Sequence, residues 1–230
     1  MNNNSIEINL SRKQLEEIPR DISIENLKNI KSLYLSYNEL KELNQDTLRH
    51  LIKLKLLKLD NNKIENLNWF PNSGGGLINL NKIYLSHNKI RQINLNIFVG
   101  LEQLNLIDLS HNEIEKIDIK EVKSLKKLKS IDLSFNKIES FDLILFDEIM
   151  MQEIDLSNND SIKLKLAGFN FIQNVNSIKL DKMRAIIEEN LKVICPSKIV
   201  REQLIEYKVI YCLIIEFLLI CFQYLFIESI

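Results

Sequence analysis

The chain has 230 residues, of which 46% are hydrophobic and 27% are charged, so it is long enough to bury a sizeable core. Its formal net charge is -1, which argues against a nucleic-acid binder or a receptor for polyanions. Only 5 glycines and 3 prolines occur, which favours one continuous array over domains joined by flexible linkers.

The N-terminus, Met1–Leu10, has neither a basic start nor a long apolar run, so we expect no secretory signal peptide. The three cysteines lie far from this end, at Cys195, Cys212 and Cys221. An odd, clustered set without a Cys-x-x-Cys pair argues against an oxidising compartment and against a zinc site. These features together predict a cytoplasmic location.

An internal repeat organises most of the chain. In its clearest copy, Leu104–Ile114, apolar residues and one asparagine follow the spacing L-x-x-L-x-L-x-x-N-x-L. The asparagine recurs at intervals of 24, 26, 24, 24 and 23 residues, at Asn38, Asn62, Asn88, Asn112, Asn136 and Asn159. The alternating L-x-L segment predicts a half-buried strand, and each coil buries its leucines only by stacking on the next coil. The asparagine amide is expected to turn inward and bond to backbone groups.

The second half of each repeat is also regular. An apolar residue follows each asparagine by five positions, and in every repeat but that of Asn62 others follow by ten and thirteen, as Ile117, Val122 and Leu125 do after Asn112. We expect them to point inward on the returning side of the coil. Phenylalanines at these positions, such as Phe98, are predicted to pack in the core.

One repeat is longer than the others, because two extra residues lie between Asn62 and Asn88, around Trp69–Gly76. The triplet Gly74–Gly76 indicates an excursion of the backbone on the surface. A phosphate-binding loop would need a Lys-Ser or Lys-Thr pair after the glycines, and none follows. A bulged surface loop is therefore the favoured interpretation.

These motifs resemble the leucine-rich repeat family, in its 24-residue class with phenylalanine in the second half. The resemblance covers Ile6–Met183 and implies an α/β solenoid, a right-handed horseshoe with a parallel concave β-sheet. Ile6–Pro19 resembles the first, capping repeat of such proteins, with Lys13 where the asparagine would stand. The cysteines that usually precede this repeat in secreted members are missing, which puts an extracellular location in doubt.

Beyond Asn159 the pattern decays, since Met183 replaces the asparagine and the sequence from Arg184 is typical of a helix. The predicted organisation is a solenoid over residues 1–183, with a capping repeat at 6–19, about six regular repeats over 30–172 and a degenerate last repeat at 175–183, followed by a helical tail at 184–230.

Within this tail, Val209–Ile227 is a 19-residue apolar stretch that contains Glu216 and Gln223. Its length is at the edge of what a membrane-spanning helix needs, and its apolar residues offset the cost of one carboxylate. Basic residues precede it, so an inserted helix would leave the repeats on the cytoplasmic side. Three interpretations stand at this point: a cap over the last coil, a membrane anchor, and a partner surface or truncated continuation.

Residues between the leucines point away from the core on the concave side, where neighbouring strands lie ~4.8 Å apart. Two columns of residues point outward. One stands four residues before each asparagine, and the other stands directly before it. Together they carry aromatic residues in the N-terminal half and three successive aspartates in the C-terminal half. The candidate partner-binding residues are Tyr34, Tyr37, Lys58, Tyr84, His87, Asp108, His111, Asp132, Phe135 and Asp155. We predict an aromatic anchor region with an acidic extension, while the alternative is a solvated surface typical of the family.

Two other functions would use the same residues. The pairs His87 and His111, and Asp108 and Asp132, supply the ligand types of a metal site, but an open sheet face has no enclosing shell. A Ser–His–Asp set is present in composition, without a nucleophile elbow or an oxyanion turn. We therefore expect no metal, no cofactor and no catalytic activity.

The sequence thus predicts a non-catalytic scaffold that binds a protein partner on its concave face and does not bind nucleic acid. The alternative is a tail-anchored membrane protein, or a receptor-like fragment, that uses residues 209–227 as its membrane segment.

Overall fold

The computed structural model of the protein describes residues 7–19, 22, 24–71, 75–118, 125–142, 146, 149–160, 162–165, 175–179 and 186–187. In chain order the elements are β1 (Glu7–Asn9), α1 (Ile24–Asn29), β2 (Ser32–Tyr34), α2 (Gln45–Arg49), β3 (Leu56–Lys58), β4 (Lys82–Tyr84), β5 (Gln92–Asn94), a 3-10 helix (Leu95–Phe98), β6 (Leu106–Asp108), β7 (Lys116–Asp118), β8 (Ser130–Asp132), β9 (Ser140–Asp142), β10 (Met151–Asp155), β11 (Lys163–Lys165), β12 (Val175–Lys179) and β13 (Ile186–Ile187).

One strand from each repeat joins the main sheet, which within the described residues has eight strands in the order β1-β2-β3-β4-β6-β8-β10-β12. All of its pairings are parallel, and each aligns equivalent positions of successive coils, as Ile107 pairs with Ile83 on one side and Ile131 on the other. Parallel neighbours need a crossover, which the second half of each repeat supplies. The predicted solenoid with a parallel sheet is confirmed.

The core consists of stacked apolar layers, one from each coil. One aligned strand residue is fully buried in each of six successive coils, at Leu33, Leu57, Ile83, Ile107, Ile131 and Ile154. The returning side contributes Phe98, Phe141 and Phe146, all buried, with ring centroids of the last two 5.8 Å apart. Ile117 is only partly buried against this core, and Val122 lies outside the described residues.

The inward asparagines bond each coil to the preceding one. Asn112 Nδ2 donates to the carbonyls of Leu85 and Leu109, both at 3.0 Å, and Oδ1 accepts the N–H of Ile90 at 3.1 Å. Equivalent bonds are made by Asn38, Asn62, Asn88, Asn136 and Asn159. Because the amide both donates and accepts, it satisfies backbone groups that the turn leaves without strand partners.

The second halves of the repeats differ in local structure. They form α2, the 3-10 helix, the pair β5–β7 and the three-stranded sheet β13-β11-β9. The chain is extended at Ile186–Ile187, within the stretch predicted to be helical, and a β-branched pair suits a strand. The rest of 184–230, including Val209–Ile227, lies outside the described residues. Among the residues that are described, no helix is long and apolar enough to cross a membrane.

At Trp69 and Phe70 the longer repeat departs from the predicted surface loop, because both side chains are buried. Trp69 and Phe70 are 6% and 2% exposed, and the Phe70 ring meets the Phe98 ring edge to face at 5.3 Å. The Trp69 indole N–H donates to the carbonyl of Asn66 at 2.8 Å, so its polar group is satisfied. Burial of two large rings stabilises the folded state more than their exposure to water would. This end of the loop therefore packs in the core.

The glycines of this loop are needed for close packing. A Cβ on Gly76 would lie 2.3 Å from the carbonyl oxygen of Leu48 and 2.4 Å from that of Arg49, at the end of α2. Gly75 has a φ of +42°, which L side chains rarely adopt. The loop is therefore held tightly against the preceding coil, and residues 72–74 lie outside the described part.

Candidate partner-binding face

The residue directly before each asparagine has a left-handed backbone. Its φ is +58°, +57°, +53°, +52°, +53° and +56° at Tyr37, Asn61, His87, His111, Phe135 and Asn158. This conformation is uncommon outside glycine, and its repetition shows that the turn at the end of each main-sheet strand requires it. The backbone N–H of His111, for example, donates to the carbonyl of Ser134 in the next coil at 2.9 Å. The motif spacing does not reveal this backbone state.

Three of these residues form a stack that we call the ring ladder: His87, His111 and Phe135. Adjacent ring centroids are 4.1 Å apart, with interplanar angles of 11° and 10°. The repeated left-handed turn holds the rings parallel, because each coil offers the side chain at the same place and angle. Phe135 is 47% exposed, so a large apolar surface lies open at the C-terminal end of the ladder.

The stacking disfavours the metal alternative. Imidazole nitrogens bind metals through lone pairs in the ring plane, and the planes of His87 and His111 are nearly parallel, so their lone pairs do not converge on one point. In the part of the chain that the structure describes, no group of three or more His, Cys, Asp or Glu side chains could hold a metal ion. The arrangement presents a flat ring surface instead.

In the N-terminal half the rings lie against cations of the chain itself. The Arg12 guanidinium lies 4.2 Å from the ring centroid of Tyr37, and the Lys58 ammonium lies 4.8 Å from that of Tyr84. Such cation–π contacts stabilise exposed pairs by ~0.5–1 kcal/mol. Arg12 was not among the predicted site residues. It stands directly before Lys13, which takes the asparagine position, so extending the column by one repeat would have found it.

Three main-sheet strands end at an aspartate. We call these residues the carboxylate column: Asp108, Asp132 and Asp155. In each, Oδ1 accepts the backbone N–H of the serine two residues later, at 2.9–3.1 Å, and its hydroxyl, at 2.6–2.7 Å. This explains the serine in these three coils, at Ser110, Ser134 and Ser157, since aspartate and serine together make an Asx turn. One oxygen of each carboxylate thus has a structural role.

Charge accumulates along the carboxylate column. Asp132 is aligned with Asp108 on one side and Asp155 on the other. Burial raises the pKa of Asp132, the bonds from Ser134 lower it, and the two neighbouring carboxylates raise it further. Asp132, in the middle of the column, is therefore repelled by a like charge on each side.

The rings and the carboxylates are close enough to influence each other. Burial lowers the pKa of His111, and His87 lowers it further, while Asp132 and Asp108 oppose this shift. Burial also raises the pKa of Tyr84, followed by the charges of Asp108 and Asp60. The neutral form of the His111 imidazole is consequently favoured, and this ring lies beside the negative charge of the carboxylate column.

The other predicted site residues share this face without joining the ring ladder. Tyr34 and Lys58 are half-buried neighbours on β2 and β3, and Tyr37 is 49% exposed at the N-terminal end. Asn61 separates Tyr37 from the three rings, so the aromatic residues form two groups. One is paired with basic residues of the chain, and the other lies beside the carboxylate column.

A family model for leucine rich repeats matches residues 6–64, 70–114 and 107–160, which is more than half of the chain. The chain belongs to the leucine-rich repeat family. This leucine-rich repeat chain is 38% identical over 96 residues to the volume-regulated anion channel subunit LRRC8A of rat, mouse and human. The match covers 41% of this chain and 11% of those subunits.

Solved leucine-rich repeat structures resemble the chain over more of its length. The TLR13 chain in the crystal structure of the TLR13–ssRNA13 complex has a TM-score of 0.67 and 24% identity, covering 80% of this chain and 26% of that one. A chain of the Drosophila Toll–Spatzle complex has a TM-score of 0.56 and 24% identity, covering 78% and 29%. At this identity the likeness shows the fold alone. No catalytic family is indicated by these matches.

Proposed function

We propose that this leucine-rich repeat chain is a non-catalytic scaffold that binds another protein on the outward side of its main sheet, here called the main-sheet face. The observation that carries the proposal is the ring ladder, in which three rings are stacked in advance and Phe135 remains 47% exposed. Large aromatic residues at the centre of a surface are typical binding hot spots. An exposed apolar surface is otherwise unfavourable to keep.

The geometry suits tight binding because the surface is already ordered. Ring stacking and the left-handed turns hold the side chains of His87, His111 and Phe135 in place before a partner arrives. Ordering a free side chain at an interface costs ~0.5–1.5 kcal/mol, and a preorganised face avoids most of that cost. Straight columns across the main sheet also let one partner contact several coils at once.

We favour a protein partner over a nucleic acid. Solved structures of the same fold include one complex with single-stranded RNA and one of Toll with Spatzle. In this chain the rings lie beside the carboxylate column, and those charges would repel phosphates. Anion conduction is not proposed, because the likeness to the channel subunit covers only 11% of its length.

Photocrosslinking tests the proposal. Benzoylphenylalanine would replace Tyr34 or Tyr84 on the main-sheet face, or Ile52 or Met150, which are exposed residues in the turns that precede β3 and β10. We expect one protein to be crosslinked in cell extract from both face positions and from neither control position. Crosslinks from Ile52 and Met150 alone would overturn the proposal.

A second candidate concerns location. We propose a cytoplasmic protein, and the apolar stretch Val209–Ile227 makes membrane attachment of its C-terminus the alternative. Alkaline extraction of membranes from cells that express the full chain, or the chain without 209–227, separates the two. Full-length protein that stays with the membrane while the shortened chain is released would establish the anchor and refute the cytoplasmic proposal.

A further inference from the structure

We propose that the C-terminal half of the main-sheet face binds an arginine-bearing segment of a partner protein, with the guanidinium stacked on the exposed Phe135 ring of the ring ladder and paired with Asp132. This inference rests on the proposed function and adds the chemistry of the partner.

The chain itself contains the contact that we propose for the partner. The Arg12 guanidinium lies 4.2 Å from the Tyr37 ring centroid, and the rings of the ladder are stacked at 4.1 Å. Arg12 and Tyr37 belong to the same column as the ladder and share its left-handed backbone, with φ of +59° and +58°. In the column of residues that directly precede the asparagine positions, a guanidinium can therefore stack on the ring of the adjacent coil, as Arg12 does on Tyr37.

The C-terminal half has acidic groups that suit such a cation. Within the described residues, Asp108 and Asp132 make no ion pair, and their bonds to Ser110 and Ser134 use only Oδ1. Their strands are adjacent and in register, so the two carboxylates face the same space. A planar guanidinium fork could bond to the second oxygen of Asp132 while its face covers the open side of the Phe135 ring.

The same observations disfavour other occupants. A lysine ammonium is a compact point charge and cannot lie flat against a ring while forking to a carboxylate. Phosphates of RNA would be repelled by the aspartates. The N-terminal half is less suited to a basic segment, because Arg12 and Lys58 already contact its rings.

Fluorescence anisotropy with the full chain tests the inference. The probes are a fluorescein-labelled twelve-residue peptide of alternating arginine and serine, the matched lysine–serine peptide, and a labelled uridine oligonucleotide of similar length. We expect the arginine peptide to bind at least about threefold more tightly than the lysine peptide, the scale of one cation–π contact. The oligonucleotide is expected to bind most weakly.

Two variants locate the binding site. Phe135→Asn removes the exposed ring and keeps a residue that this column already carries at Asn61 and Asn158 with left-handed backbone, so the fold should be retained. It should weaken the arginine peptide about fivefold and abolish its advantage over lysine. Asp132→Asn should weaken both peptides about tenfold and reduce the salt dependence of binding.

Matched controls lie at the other end of the strands. Met150→Gln changes an exposed apolar residue directly before β10, and Glu102→Gln neutralises an exposed carboxylate before β6. Both should leave the affinities within about twofold.

Equal affinity of the two peptides, an unchanged affinity in Phe135→Asn, or tighter binding of the oligonucleotide would overturn the inference. If crosslinking from Tyr34 and Tyr84 nevertheless succeeds, only the arginine inference fails; if crosslinking also fails, the proposed function fails with it.

Discussion

Neighbouring residues of one turn have different tasks in this protein. Asn112 is buried and bonds its coil to the preceding one, while His111, directly before it, stacks outward between two other rings. The asparagine contributes to stability in the same way in every coil. The preceding residue differs between coils and determines what a partner contacts. Substitutions at the two positions should therefore affect different measurements.

Asn112→Ala should destabilise the protein by ~2–4 kcal/mol, because the carbonyls of Leu85 and Leu109 and the N–H of Ile90 lose their partner in a buried site. Urea unfolding followed by circular dichroism measures the loss. The control is Asn68→Ala, which changes an exposed asparagine and should cost less than ~0.5 kcal/mol. Equal stability of the two variants would contradict the structural role of the ladder.

Asp132→Asn should stabilise the protein at pH 7 by ~0.2–1 kcal/mol, the scale of one cross-strand charge pair. The asparagine oxygen can still accept both bonds from Ser134, while the repulsion from Asp108 and Asp155 is removed. Because folding raises the pKa of Asp132, its ionised form lowers native stability, and this cost grows as pH rises through the folded-state pKa.

The pH dependence provides the internal check on this prediction. The advantage of Asp132→Asn in urea unfolding should be largest at neutral pH and should shrink as the pH approaches 3.8, the ordinary aspartate value, where the wild-type carboxyl also becomes neutral. An advantage that is independent of pH would mean that the substitution acts through packing and not through charge.

Among the elements, the longer repeat shows how an insertion is accommodated. Trp69 and Phe70 enter the core, where Phe70 meets Phe98 of the next repeat at 5.3 Å, and Gly76 lets the backbone approach the end of α2. The two extra residues between Asn62 and Asn88 leave the pairing of β3 with β4 in the same register as the other coils. The main sheet is therefore continuous across the insertion.

Gly76→Ala should destabilise the protein by ~1–3 kcal/mol, since the new methyl group would lie 2.3 Å from the carbonyl oxygen of Leu48 and the end of α2 would have to move. Thermal unfolding measures the effect. Ile78→Ala, in the following turn, is the control, because Ile78 is 52% exposed and its truncation should cost less than ~1 kcal/mol. A neutral Gly76→Ala would show that the loop is not closely packed.

For the whole molecule, stability is expected to be a sum of coils and of contacts between adjacent coils. Within the described residues, each strand of the main sheet pairs only with strands of adjacent repeats. The asparagine bonds likewise connect one coil with the next, as Asn112 does with the coil of Leu85 and Ile90. Energetic coupling should therefore fall steeply beyond the nearest neighbour.

Double-mutant cycles with isoleucine-to-valine changes test this expectation. Ile107 and Ile131 are paired in β6 and β8, so their combined substitution should deviate from additivity by ~0.5 kcal/mol or more. Ile83 and Ile154 lie on β4 and β10, with two strands between them, and should be additive within ~0.3–0.5 kcal/mol. Urea unfolding of the single and double variants gives both values, and equal coupling in the two pairs would contradict the nearest-neighbour description.

The repeated residues were predictable from the sequence, because their period is set by a local requirement that every coil shares. A strand must alternate, a buried turn must satisfy its backbone groups, and an amide side chain meets the second need wherever it recurs. The glycines that follow Trp69 and Phe70 are typical of exposed turns and predict a surface loop. Their burial depends on Phe98 one repeat later, and the local sequence does not describe that contact.

Spacing along the chain was enough to predict the coil, the order of the strands and the two outward columns. How the outward residues combine depends on contacts between coils. His87, His111 and Phe135 form one stack because the left-handed turns place the ring centroids of successive repeats 4.1 Å apart. Arg12 has the same left-handed backbone, which places its guanidinium over the ring of Tyr37 in the same column. Contacts between coils depend on backbone angles and register, which the hydrophobic pattern does not specify.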